Sequence, residues 1–427
     1  FDTRGNVEII ASSLDNVRVR GGGAVGGFIG AGAVRTMATS NGITEARLDA
    51  QATAIAAGSL TVLATNTTLI DNLAQGRGAG FFQGASVSAT SLSAPTVTAL
   101  IAGRSGSPIQ VGNLAQRTGD ATVQAIASGN IVAAADEVGG GFGTGGVATG
   151  LAEWNPTVNS SITADTELTA GGDVSILAHN NHDEAGNVQS GNEVRANGQS
   201  KGGGVGGGRT ASGTAKTNTT VAALLGGNST IQAGQTVNVK AKSRNHPVAI
   251  GEAELLAAGG SASANSLIEV RSNTTATTDP GLTTVTAAGM NVTSDSDLRF
   301  DANGIANGFS IGGIVAGVAN VAVQIFAPVT RALVGAGNTI QVPGGTLAVL
   351  ANSVKTGEAK YSGVFTLIAP IPFSGQGTVN VNVNGAIQTV AQVDGQVPQA
   401  SNVQIISHDP LDFSAEADRD RSGWHDG

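Results

Sequence analysis

The sequence returns many times to one short phrase in which apolar residues occupy every second position. In AGQTVNVKA, Val237, Val239 and Ala241 alternate with polar side chains. The same alternation occurs in AGSLTVLA, GGDVSILA and GGTLAVLA, each with alanine at the third apolar position. A period of two is typical of a β-strand that buries one face. The chain is therefore predicted to form many short strands that bury small aliphatic side chains.

Eight copies of the phrase can be aligned, and they define about seven irregular repeats of about 55–60 residues. The repeat strands are predicted near residues 7–11, 60–64, 131–135, 174–178, 237–241, 298–302, 347–351 and 411–415. The constant alanine indicates a position where the chain turns or meets another strand, with room for one methyl group only. Turn-forming residues such as Gly172 and Asn180 stand on either side of a copy and predict turns there.

These patterns predict an all-β fold, a parallel β-helix (β-solenoid) that runs through residues 1–427 as a single continuous segment. Stacked repeats share one core, so the length of the chain does not force a division into domains. With an assumed coil of about 20 residues, the chain would form roughly 21 coils and a rod near 100 Å long. A tandem array of β-sandwiches is the competing architecture, although the repeat is short for one sandwich domain.

The composition excludes several classes of function. Glycine accounts for 63 of 427 residues, charged residues for 12%, and the net charge of −9 includes no basic patch. We therefore expect no nucleic-acid partner. Cysteine is absent, which excludes disulfides and thiolate metal sites. The chain has no run of eighteen apolar residues, so we expect no membrane span. It begins with Phe1 rather than Met, and we expect it to be a mature or excised piece of a longer polypeptide.

The phrases AGGDVSILAHNN, GGGVGGG, GGIVAGVANVAV and NSTIQAGQTVNVKA together resemble the repeats of large bacterial exoproteins. Filamentous-haemagglutinin-like proteins and leukotoxin-type filamentous adhesins are of this kind, and the resemblance extends from Val7 to about Asp418. It implies secretion, β-helical shafts and roles in adhesion, surface coating or filament formation. No secretion domain, membrane-anchoring segment or Arg-Gly-Asp tripeptide accompanies the repeats in this sequence.

Two acidic segments contain the oxygen ligands that calcium prefers. SDSDLRFD contributes Asp295, Asp297 and Asp301, and DRDRSGWHDG contributes Asp418 and Asp420. Neither segment matches a known calcium-binding loop. In SDLRFDA the alternation places Asp297 and Asp301 opposite the apolar residues, which favours simple solvent exposure.

The segment HNNHDE, residues 179–184, offers two imidazoles and two carboxylates to a metal. It directly follows a repeat strand, where other copies carry polar turn residues, and we predict a solvated turn. We expect no catalytic residue and no cofactor, and calcium at the five aspartates above is the alternative.

We therefore expect a non-enzymatic structural protein of the bacterial surface or extracellular space, either the rigid shaft of an adhesin or a filament subunit. Its expected partners are further copies or further chain at its ends, and also a host surface, a neighbouring cell or a polysaccharide. Two alternatives remain. One is a polysaccharide-active β-helix enzyme that uses paired outward carboxylates. The other is a calcium-binding or ice-binding solenoid.

Overall fold

The computed structural model describes residues 2–3, 5–49, 55–310, 315–367 and 374–423. The described residues form strands joined by turns and loops, and every strand-to-strand pairing between coils is parallel. Among them, no helix is long and apolar enough to cross a membrane. The all-β parallel solenoid predicted from the sequence is confirmed.

The described residues form 24 strands. Strands β1 to β12 are Asp2–Thr3, Val7–Ser40, Ile43–Leu48, Ile55–Ala56, Leu60–Ser93, Thr96–Ile101, Ile109–Val111, Ala121–Trp154, Thr157–Ile162, Glu167–Ala170, Val174–Asn180 and Val194–Leu225. Strands β13 to β24 are Thr230–Ala233, Thr236–Asn245, Pro247–Thr278, Thr284–Thr286, Gly289–Ser310, Val315–Phe326, Val329–Val334, Thr339–Leu367, Ser374–Asn384, Gln388–Val393, Gln396–His408 and Leu411–Gly423.

One coil of the solenoid equals one whole repeat of the sequence. Val7 pairs with Leu60 in the next coil, and Val174 pairs with Val237, so that paired residues lie between 53 and 63 positions apart. The directly stacked residues that begin successive coils are Val7, Leu60, Ala121, Val174, Val237, Met290, Leu347 and Val403. Eight coils are separated by seven spacings of about 4.8 Å, which places the first and last coils about 34 Å apart.

Each of the first seven coils consists of a base with three sheets and one long projection, which we call the arm; the described part of the eighth coil comprises its sheet 1 segment and the outgoing part of its arm. Sheet 1 contains β11 (Val174–Asn180) and its stacked equivalents, sheet 2 contains β9 (Thr157–Ile162), and sheet 3 contains β10 (Glu167–Ala170). The arm leaves sheet 1, turns back at its tip and joins sheet 2. In the third coil it occupies residues 131–154 of β8, with its tip at Phe142.

The two halves of the arm, outgoing and returning, pack directly against each other. In the second coil Asn72 Nδ2 of the outgoing half donates to Thr90 O of the returning half at 2.7 Å. A side chain added at Gly76 would collide with Val87 on the opposite half. Glycine on one half thus makes room for a branched side chain on the other, and the arm is only two sheets thick.

A single apolar core runs along the stack, and most of its residues are small; Trp154 and Phe300 are the large exceptions. Val237, Val239 and Ala241 are completely buried, as the alternation in the sequence predicts. The alanine column faces sheet 2 at close range. Where the sixth coil has Ser294 instead of alanine, its hydroxyl donates to Thr274 O of sheet 2 at 2.7 Å. This contact supports the steric interpretation of the constant alanine.

The assumed coil of about 20 residues is wrong, and so is the rod of roughly 21 coils near 100 Å long. The arm uses much of every repeat, and its outgoing half alone, about 11 residues long, extends about 36 Å from the base. The described molecule is therefore wider than its stack is high. Strand alternation carries no information on where a chain turns back, which explains why the coil length could not be read from it.

Three of the eight aligned phrases belong to a different column from the other five. Residues 131–135, 298–302 and 411–415 lie in strands, but they stack at the base of the arm, where Ile131 pairs with Ile70 and Val194. The segments of these coils in sheet 1 are 121–125, 290–294 and 403–407. The base of the arm buries alternate aliphatic residues just as sheet 1 does, so the two segments have the same sequence pattern.

We predict that Phe300→Ala lowers the free energy of unfolding by about 3–5 kcal/mol. The Phe300 ring is completely buried, lies 5.2 Å from the Phe413 ring and leaves no room for a side chain at Gly357. The matched control is Arg299→Ala at the exposed neighbouring position, for which we expect a change within about 0.5 kcal/mol. Denaturant unfolding followed by circular dichroism measures both, and equal effects would contradict the assignment of faces.

Candidate functional site

The three aspartates proposed for calcium in the SDSDLRFD segment do not converge on one point. Asp301 accepts a hydrogen bond from His246 Nε2 at 2.9 Å, which lowers the pKa of the Asp301 carboxyl. Asp297 lies 3.8 Å from Arg244 Nε, and burial raises the pKa of Asp295. Asp297 and Asp301 lie opposite the buried residues of the strand, as predicted.

The other two calcium candidates, Asp418 and Asp420, lie on β24, and their side chains are outside the described part of the structure. Within the described residues, no group of three or more histidines and carboxylates is arranged to hold a metal ion. The described residues therefore contain no assembled set of ligands at the positions proposed for calcium.

The HNNHDE segment is not a solvated turn at its first four residues, and the prediction of one was wrong there. His179 and His182 are 2% and 6% exposed, and the two asparagines between them are also buried. Residues 181–193 form a loop, which we call the strap, that folds over the outer face of sheet 1. Gln124 Nε2 donates to the strap at Glu184 O at 2.7 Å, and Lys242 Nζ donates to Gly186 O at 3.1 Å.

Burial of His179 under the strap keeps its imidazole neutral. Its Nδ1 donates to Asp183 O at 3.0 Å, and desolvation lowers the pKa of His179 to about 4. Desolvation also lowers the pKa of His182, whose Nδ1 donates to Asn180 O at 2.8 Å. The two rings are 6.0 Å apart between centroids, and both serve to attach the strap.

The interior of the arm contains an ion pair that is fully buried. Arg209 Nη1 lies 2.6 and 2.7 Å from the two carboxylate oxygens of Glu137, which also accepts a hydrogen bond from Ser200 Oγ at 2.7 Å. Arg209 Nη2 donates to Gly139 O at 2.7 Å. This network joins the third and fourth coils and crosses from the outgoing to the returning half of the arm.

The two outer faces of the arm differ in charge. The outgoing face carries ion pairs between coils, including Arg20 with Asp71, and Lys201 Nζ with Glu252 Oε1 at 2.6 Å. The returning face carries stacked columns of small and uncharged side chains. From the second to the sixth coil these columns are Gly84, Gly145, Gly208, Ser261 and Ala316; Ser86, Val147, Thr210, Ser263 and Val318; and Ser88, Thr149, Ser212, Asn265 and Asn320.

The tip of the arm carries an exposed aromatic ladder. The Phe28, Phe81 and Phe142 rings stack face to face in successive coils, with centroids 4.9 and 4.7 Å apart and interplanar angles of 5° and 2°. Phe82 packs edge-on against this ladder, 4.9 Å from Phe81. These four phenylalanines are 41–68% exposed in a chain with only eleven phenylalanines. A contiguous patch of exposed apolar side chains on a protein surface commonly marks an interaction site.

The aromatic tip and the uncharged returning face form the candidate functional surface, and sequence reasoning did not single them out. The signal was present in GGFIGAGAV, GAGFFQGASV and GGGFGTGGV, which place phenylalanine in the same phase between glycines. The phase becomes visible only when the offset between coils is known.

Comparisons with known proteins give no further identification. No family model, no curated protein and no solved structure matches this chain.

We predict that stability falls as the pH is lowered from about 6.5 to about 4, because folding depresses the pKa of His179. Between these values the unfolded chain binds the proton that the folded chain excludes, so the free energy of unfolding decreases as the pH falls, by up to about 3 kcal/mol. Thermal unfolding at a series of pH values measures this dependence. His179→Gln removes the titrating group and is expected to flatten the profile, leaving the smaller slope from His182. An unchanged profile in this variant would contradict the assignment.

We also predict that Arg209→Met destabilises the protein by about 3–5 kcal/mol, because it leaves the Glu137 carboxylate buried without its partner. The double variant Glu137→Leu/Arg209→Met restores most of this loss, since an apolar pair of similar volume needs no charge compensation. The control is Lys216→Met in the partly exposed Lys216–Glu269 pair, separated by 3.2 Å, which is expected to cost less than about 1 kcal/mol. A double-mutant cycle in denaturant measures these values, and an additive cycle would refute the coupling.

Proposed function

We propose that this chain is a structural segment of an extracellular β-solenoid, acting as the shaft of a bacterial surface adhesin or as a filament subunit. The observation that carries the proposal is the parallel pairing, which continues from coil to coil through all eight coils of sheet 1. The resemblance of the repeats to bacterial exoproteins supports the same function. In this proposal the protein acts mechanically and needs no cofactor.

The contacts between coils suit a load-bearing stack. Polar side chains on the surface form ladders parallel to the stack axis, in addition to the backbone hydrogen bonds. Asn291 Nδ2 donates to Asn238 Oδ1 at 3.0 Å, and Asn320 Nδ2 donates to Asn265 Oδ1 at 3.1 Å. Thr378 Oγ1 extends the second ladder to the next coil at 2.9 Å. Force along the axis is thereby shared among many parallel bonds.

Both ends of the described stack present strand edges that can accept another coil. In the described part of the chain, β2 pairs with β5 on one side only, and β23 and β24 pair with β20 on one side only. Unpaired edges of this kind are templates for further pairing. We propose that they are continued either by more of the same polypeptide or by further copies, and that the outer surface contacts a host cell, a neighbouring cell or a polysaccharide.

We predict that the concentrated protein forms linear stacks, visible by negative-stain electron microscopy, with a spacing of about 4.8 Å along the axis by fibre diffraction. Proline at Glu8 and Ile10 is expected to block this stacking. The N–H of Val7 bonds to Ser59 O in the next coil, so the N–H groups of Glu8 and Ile10 point to the free edge. These prolines therefore remove no hydrogen bond within the molecule.

The control for the proline variant is Glu8→Ala/Ile10→Ala, which keeps both N–H groups and is expected to stack like the unmodified protein. Far-UV circular dichroism establishes that both variants are folded. Stacks that persist in the proline variant, or a protein that stays dispersed at all concentrations, would contradict the proposed coil-by-coil continuation.

A further inference from the structure

We propose that the returning face of the arm is an isologous interface through which two copies of this chain pair side by side. This lateral pairing is distinct from stacking at the ends of the solenoid, and it does not rest on the proposed function. A closed dimer would result, whereas end stacking produces an open series.

Charge separates the two faces of the arm, and only one suits a second copy. At a similar distance from the tip of the arm, the outgoing face carries Arg77, Asp136, Lys201 and Glu254. The columns of the returning face carry no charged residue between the second and sixth coils. The chain has a net charge of −9, so two copies repel each other at long range. A charge-free face lets them approach without burying like charges or leaving ions unpaired.

The same face carries both a ridge and a depression, as a self-complementary surface must. Gly84, Gly145, Gly208 and Val147 line a shallow, open depression of about 660 Å³. Phe82 projects from the aromatic tip one column away, since Phe82 and Gly84 are alternate residues of the same strand. In a two-fold arrangement the aromatic tip of each copy fits into the depression of the other.

The area agrees with what a stable pair needs. With one further uncharged column, the columns extend over seven residues of each returning strand and over five coils, which gives about 550 Å² per copy. The further column consists of Thr90, Leu151, Thr214, Leu267 and Ala322. Exposed side chains of the aromatic tip add to this value. Specific interfaces bury about 800 Å² per partner, and their centres are enriched in aromatic residues and depleted of charge.

Two valines of one strand provide a matched test. Val147 and Val138 both lie on β8 in the third coil. Val147 lies on the returning face and is 41% exposed, whereas Val138 lies on the outgoing face and is 43% exposed. In the dimer, Val147→Glu places two carboxylates in the interface without partners, and we expect the dimer dissociation constant to rise at least about 100-fold. Val138→Glu lies between Arg77 and Lys201 of the adjacent coils and is expected to leave dimerisation unchanged.

Sedimentation velocity over a range from about 1 to about 200 µM measures the association of the full chain and of both variants. The series is repeated in the Glu8→Pro/Ile10→Pro background, in which end stacking is blocked. A concentration-dependent dimer that is lost in Val147→Glu and kept in Val138→Glu supports the interface. Because the chain has no cysteine, a single nitroxide at Ser86→Cys also reports the pairing as a short distance between copies.

Four outcomes would overturn the proposal, and the fourth concerns the proline background. The first three are a protein that stays monomeric up to the highest concentration, equal dissociation in the two glutamate variants, and a dimer that survives Val147→Glu. A monomer that instead binds neutral phosphatidylcholine vesicles would assign the aromatic tip to a lipid surface. Loss of all association in the proline background, with the fold intact, would show that the ends and not the arm mediate contact. The sedimentation results test only the lateral dimer. The electron microscopy of end-to-end stacks tests the proposed function, so either proposal can fail without the other.

Discussion

Parallel pairing between equivalent residues of successive coils is the constraint on which the rest of this structure depends. Each residue inside the stack has the corresponding residues of the coils before and after it as neighbours, so the buried columns continue from coil to coil until the end of the stack, where Val403 and Ile405 are 45% and 50% exposed. Val174, Val237 and Met290 occupy one column and are all completely buried. Extra residues can enter only between the paired segments. The strap at 181–193 is such an insertion, and it leaves the pairing of Val174–Asn180 with β14 intact.

The sequence was sufficient to predict the fold class and the buried face of most strands, because both follow from local alternation. It was insufficient for the coil. Ile131, Ala133 and Ala135 at the base of the arm have the same pattern as Val174, Ile176 and Ala178 in sheet 1, and nothing local distinguishes the two environments. In the sixth and eighth coils the sheet 1 position that is alanine in the other six is Ser294 and Ser407, so the alignment moved to later segments that end in Ala302 and Ala415.

The polar sites could not be predicted because their environments depend on residues far away along the chain. His179 looks like a turn residue by composition, and it becomes buried only when Asp183 and Gln124 contact it beneath the strap. Glu137 and Arg209 are 72 residues apart, and they meet because the arm turns back and the coils stack. The phenylalanine ladder follows the same logic, since each of its rings comes from a different coil. Such sites follow from the pairing offset, which a single sequence does not display.

Glycine explains how the arm can be thin and how one face can be free of charge. The halves of the arm are so close that a branched or charged side chain on one half requires glycine on the other, as Val87 does at Gly76 and Glu137 at Gly146. Interior space is thereby filled by one layer of side chains instead of two. Small residues on the outer side of the returning half leave that face without long or charged side chains, so another surface can approach its backbone closely. The high glycine content is therefore a consequence of building a thin projection, and the bulky, exposed phenylalanines at its tip are the departure from that rule on which the proposed interface rests.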